Sequence, residues 1–187
     1  MINYEELYLI AKEKLSDERF KHSEAVVKRA IEYAKIYGVD EKTAKITAIA
    51  HDIAKELTAE EEAFYIKKYN IKLDEIEKQN HSLVHAKIGA VICQKEYGFS
   101  LDMANSVKYH TTGKENMTIL EKIIYLADAT DETREYDYEP YVKIIKNDID
   151  KGIVEITKKT IKHLLETGKM IHLDSIKCYN YYLKNSQ

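Results

Sequence analysis

AIAHDIAKEL, residues 48–57, sets a histidine beside an aspartate inside an apolar run. Alanine and isoleucine at 48–50 and 53–54 predict a helix with a buried face. Such a face would not otherwise turn two polar side chains inward. Burying an unpaired carboxylate is expensive, and a coordinated cation removes that cost. His51 and Asp52 therefore read as metal ligands.

Partners for the doublet lie in other stretches of helical spacing: His22 in KHSEAV (21–26), His85 in HAKIGA (85–90), His110 in KYHTTG (108–113) and Asp128 in IIYLADAT (123–130). Neighbouring side chains on a helix are rotated by about 100°, so a doublet near a bundle axis reaches one ion from adjacent directions. His22, His51, Asp52 and Asp128 would complete a first site. In a dinuclear version Asp52 bridges with one oxygen to each ion, and His85 and His110 hold the second. Imidazole and carboxylate donors without thiolate suit Fe, Mn, Co, Ni or Zn. His81, four residues before His85, is taken as a non-ligand, and His163 in IKHLLE as a buried, hydrogen-bonded histidine.

Helical periodicity runs through the chain, with one proline and six glycines among 187 residues. Ser16 caps a helix over 17–37 closed by Gly38, and Asp40 caps the helix leading to the doublet. Thr58 and Glu61 have capping-box spacing at the head of a short acidic helix. A linker at 70–80 precedes helices over 82–97, 101–110 and 118–131, with HTTG (110–113) as a break. EYDYEPY (135–141) enters three final helices at 141–147, 150–167 and 174–184, the last capped by Asp174. The expectation is an all-α single domain over 1–187, a helical bundle with a metal centre in its core.

The length suits one domain of the usual range, about 100–150 residues or somewhat more. A net charge of −3 supplies no basic field for nucleic acid. No run reaches the ~18–20 apolar residues that span a bilayer, and the N-terminus has no signal-peptide pattern. Cys93 and Cys178 lack CxxC spacing and read as free thiols, which points to the cytoplasm. The fifteen tyrosines mostly stand at helical spacing on core edges, a surface compatible with a homodimer.

At KHSEAV, AIAHDIAKEL, HAKIGA, KYHTTGKENMTILEKIIYLAD (108–128) and GKMIHLDSIKCYN (168–180) the chain resembles the HD-domain phosphohydrolases. Within them it is most similar to the bacterial YqeK-type symmetrical diadenosine tetraphosphatases, over residues 17–183. The resemblance implies an HD core over about 17–132 and C-terminal helices over about 141–184. It further implies a di-iron centre on His22, His51, Asp52, His85, His110 and Asp128, and cleavage of diadenosine tetraphosphate into two ADP. Where that family reads Glu-Pro-x-Arg after the metal aspartate, this chain has Asp131-Glu132-Thr133-Arg134.

The expected mechanism uses a hydroxide shared by two metals, with Asp52 bridging them and charge stabilisation doing more than a dedicated general acid. Lys55, one turn past Asp52, and Arg134 are expected to bind phosphate. Thr111, Thr112 and Gly113 could offer hydroxyls and backbone N–H groups, and His172 could close over the substrate. Rival readings are an HD hydrolase for another nucleotide and a non-catalytic nucleotide-binding module.

Overall fold

The computed structural model describes residues 1–185, apart from the side chain of His81, so the expectation for that histidine lies outside the described residues. Among the described residues ten α-helices form the bundle: α1 (Tyr4–Lys14), α2 (Asp17–Tyr37), α3 (Glu41–Ala50), α4 (Ala59–Lys68), α5 (His81–Lys95), α6 (Leu101–Lys108), α7 (Ile119–Ala129), α8 (Glu139–Asn147), α9 (Ile149–Glu166) and α10 (Leu173–Asn185). No strand occurs among the described residues, and none of these helices is long and apolar enough to cross a membrane.

Local chemistry sets most boundaries. The Ser16 hydroxyl accepts from the Arg19 N–H at the head of α2, and Gly38 ends that helix at φ 69°. Asp40, Ser100 and Thr118 cap α3, α6 and α7 in the same way, and Thr58 and Thr118 complete reciprocal capping boxes with Glu61 and Glu121. Buried stripes then pull the helices together. Val26, Ala30 and Tyr33 of α2 meet Ala44, Ala48 and Ile49 of α3 and Ile123, Ile124 and Leu126 of α7 in one continuous core. Around it, α5 lies on α6, while α9 joins α7, α8 and α10.

Several expectations needed correction. The His51-Asp52 doublet is not inside α3 but just past its end, and His110 stands two residues beyond α6. At the doublet the chain continues in tighter i→i+3 turns, Ile53 N–H donating to Ala50 O at 3.1 Å and Lys55 N–H to Asp52 O at 2.8 Å. Such turns are the common way for an α-helix to finish. Asp174 does not cap α10; its N–H donates to His172 Nδ1 at 3.2 Å, so His172 is the capping side chain. His163 is exposed, because the buried face of α9 is carried by Ile149, Ile153 and Ile156. A helix not expected from the sequence lies at residues 4–14, where Asn3 and Glu6 form a capping box for α1.

Candidate metal centre

Side chains from α2, α5 and α7 and from the turns after α3 and α6 converge in the core. His22, His51, Asp52, His85 and His110 are all buried, and the Asp128 side chain keeps 19% exposure on the open side. The Asp52 carboxylate lies between two groups of imidazoles. Its Oδ1 is 3.0 Å from His85 Nε2 and 3.5 Å from His110 Nε2. Its Oδ2 is 3.5 Å from His51 Nε2 and 3.9 Å from His22 Nε2. Asp128 Oδ1 closes the second group, 3.1 Å from His22 Nε2 and 3.8 Å from His51 Nε2.

Two helix ends aim imidazoles by the same device. His51 Nδ1 is 2.7 Å from Ala48 O, and His110 Nδ1 is 2.7 Å from Val107 O. A carbonyl can only accept, so each Nδ1 carries the proton and a neutral ring keeps its Nε2 lone pair for the centre. This is what the turn at each helix end achieves: the histidine reaches back to a carbonyl three residues earlier. His22 is oriented instead by the loop after α7, with Nδ1 3.4 Å from Asp131 Oδ2 and 3.2 Å from Thr133 Oγ1.

The donor set fits divalent cations. His22 Nε2, His51 Nε2 and Asp52 Oδ1 are buried without a hydrogen-bond partner. Unpaired buried polar atoms are rare and costly, and here they face one another. His22, His51 and Asp128 have ligand atoms within 4.8 Å of each other, as do His51, Asp52 and His110, so His51 belongs to both groups. Burial alone would lower the His22 pKa, but the Asp128 and Asp131 carboxylates raise it to about 9. His85 goes the other way, pushed down to about 4 by burial despite Asp52 beside it. Burial works against ionised Asp52 too, yet His51 and the neighbouring imidazoles hold its carboxyl well below the usual range.

Beside the centre opens a cavity of about 660 Å³ whose wall includes Lys55, His110, Thr111, Thr112, Asp128, Arg134 and His172. Gly113 does not line it. It sits at φ 64°, and a Cβ there would come within 2.6 Å of Cys178 Sγ. Arg134 borders the cavity while gripping two acids, Asp128 through Nη2 at 2.5 Å and Asp131 through Nε at 3.0 Å. His172 Nε2 pairs with Asp74 Oδ2 at 2.7 Å, fastening the 70–80 segment to the head of α10.

Three contributors escaped the sequence reading. Arg19 Nη1 pairs with Asp52 Oδ2 at 3.1 Å; its i,i+3 spacing from His22 put both on one face of α2, a usable signal. Asp131, fully buried, stands in sequence as one loop acid ahead of Arg134. Lys159 of α9 also lines the cavity and belongs to none of the motifs.

The HD-domain family model matches residues 19–133. A symmetrical bis(5'-nucleosyl)-tetraphosphatase of Bacillus subtilis (strain 168) is 32% identical over 187 residues, covering 99% of this chain and 100% of the relative. The enzyme of the same name from Halalkalibacterium halodurans is 33% identical over 93% of this chain and 94% of its own. A Clostridium acetobutylicum structure, described as a predicted HD superfamily hydrolase involved in NAD metabolism, superposes with a TM-score of 0.93 at 30% identity, covering 99% of both chains. The matched segment contains every residue of the buried His/Asp cluster, and the chain belongs to the HD-domain family of metal-dependent phosphohydrolases.

Proposed function

We propose that this chain hydrolyses dinucleoside tetraphosphates symmetrically, converting diadenosine tetraphosphate and water to two ADP at a centre for two divalent cations. The observation that carries this reading is the position of Asp52: its two oxygens face different sets of imidazoles, beside a cation-lined cavity. Relatives that match nearly the whole length and bear the symmetrical tetraphosphatase name supply the substrate.

His22, His51, Asp52, His85, His110 and Asp128 would hold the cations, the Asp52 carboxylate standing between the two groups of imidazoles. Iron is proposed from the family resemblance; the same donors accept Mn, Co, Ni or Zn. Bound divalent ions supply an acidified water and polarised phosphoryl oxygens for an in-line displacement. This chain's residues do the rest. Lys55 and Arg134 receive phosphate oxygens, with Arg134 also keeping Asp128 in place. Thr111 and Thr112 border the phosphate path, and His172 holds the far wall. Water oxygen bonds to one central phosphorus as the bridging oxygen departs with the other ADP, which leaves the products identical. The buried free thiols Cys93 and Cys178 are consistent with action in a reducing compartment.

The test is an anaerobic assay of iron-loaded protein against diadenosine tetraphosphate, with products resolved by ion exchange and metal counted per chain. ADP as sole product with two metals bound is expected. AMP with ATP would overturn the assigned bond, and no turnover by metal-loaded protein would overturn the substrate.

A further inference from the structure

The cavity wall formed by α9 carries chemistry that the metal centre does not account for. Ile156, Thr160 and Leu164 recur every four residues, which lines them along one helix face, and all three border the cavity. Lys159 stands on the same wall, its ammonium 3.4 Å from the centroid of the Tyr136 ring.

This lysine has no carboxylate at ion-pair distance among the described residues. Glu155, four residues earlier, is the favourable helical partner by spacing, yet it pairs with Lys158 at 3.6 Å instead. Glu166 pairs with Lys162 at 3.7 Å. The acids nearest Arg134 are engaged by Arg134 itself. Lys159 is thus a half-buried cation with an aromatic ring beneath it and a guanidinium for a neighbour. Desolvation first, and then Arg134, lower its affinity for the proton. Lys55 and Lys169 line the same cavity and likewise lack a carboxylate at ion-pair distance among the described residues. Against these cations the cavity sets one acid, Asp128, already bound to Arg134 and His22. An elongated polyanion with an apolar end group matches this division of charge and hydrocarbon.

We propose that Lys159 is a substrate-binding residue that grips the polyphosphate chain of one half of the substrate, with the Ile156–Thr160–Leu164 face of α9 seating the attached nucleoside. The proposal rests on the dinucleoside tetraphosphate reading above and assigns one nucleotide half to this cavity. Charge at residue 159 would then set substrate affinity without touching the metals.

Lys159→Met keeps most of the stem over Tyr136 and removes the charge, while Lys159→Arg restores it. Steady-state kinetics with diadenosine tetraphosphate should show KM raised at least tenfold in K159M and within threefold of the parent in K159R, with metal per chain unchanged. Calorimetric titration of the metal-loaded proteins with ADP should rank them in the same order. KM and ADP affinity of K159M within twofold of the parent would overturn the proposal. So would metal loss in K159M, which would make the residue a support of the centre. If the parent binds ADP but does not cleave the tetraphosphate, the proposed function fails, and the ADP titration still decides Lys159. A parent that binds neither overturns both.

Discussion

Asp131 replaces the first residue of the related Glu-Pro-x-Arg pattern, and its carboxylate is wholly buried. Its Oδ1 receives the Thr133 N–H at 2.9 Å, while Oδ2 stands at ion-pair distance from Arg134 Nε, 3.0 Å, and faces His22 Nδ1 at 3.4 Å. Burial disfavours its charge, but the His22 and Thr133 contacts outweigh burial and keep the pKa below its ordinary value. The loop turns back at Thr133, whose N–H holds Asp131 Oδ1 and leaves Oδ2 facing His22. Groups that orient a metal-ligating histidine typically contribute about 10–100-fold in metal affinity or activity. Asp131→Ala is therefore expected to weaken metal binding by about that factor while the helical circular dichroism persists. Unchanged affinity in a metal titration would show that His22 is held by its helix alone. The clustered His and Asp residues were legible because each is a polar residue in or just beyond a stretch of helical spacing. Asp131 was not, since a loop acid among Glu132, Glu135 and Asp137 has no periodicity to set it apart.

At the scale of elements, boundaries followed from capping chemistry, while the ends of α3 and α6 did not. Periodicity continues past both ends because the chain stays compact and right-handed through the turns, His51 itself having φ −56° and ψ −37°. The imidazole-to-carbonyl contact that marks the true end is a side-chain event that spacing cannot reveal. Gly113, expected to contact phosphate through its backbone, instead lets the break after His110 pass against α10. A left-handed alanine costs about 1–3 kcal/mol, and overpacking of a tight contact costs about 1–3 kcal/mol more. Gly113→Ala should lower Tm by several degrees, at about 2–4 °C per kcal/mol for a domain of this size. Adding Cys178→Ala, which removes the facing sulfur, should recover part of the loss. A Tm equal to the parent's would mean that α10 yields freely.

Across the whole molecule, α1 lies outside the matched family segment yet packs on α3 and α2. Leu7 and Ala11 are fully buried, and Ser16 donates its N–H and hydroxyl to the Glu56 carboxylate at 2.6 and 2.8 Å, fastening the α1–α2 junction behind the doublet. Leu7→Ala should cost about 2–5 kcal/mol as a core truncation. Thermal melting should fall accordingly, with metal per folded molecule unchanged; metal loss at low temperature would make α1 part of the centre's scaffold. The sequence by itself determined the all-α class, most helix starts and the set of His and Asp side chains that gather in the core. Apolar periodicity, capping residues and the cost of burying charge are all local properties of a stretch of chain. Only the tertiary structure decided which oxygen of Asp52 faces which imidazoles, that Arg134 is shared between two acids, and that Lys159 shares a cavity with Asp128. Those relations depend on helix packing and on side-chain direction across distant segments, which one-dimensional spacing does not encode.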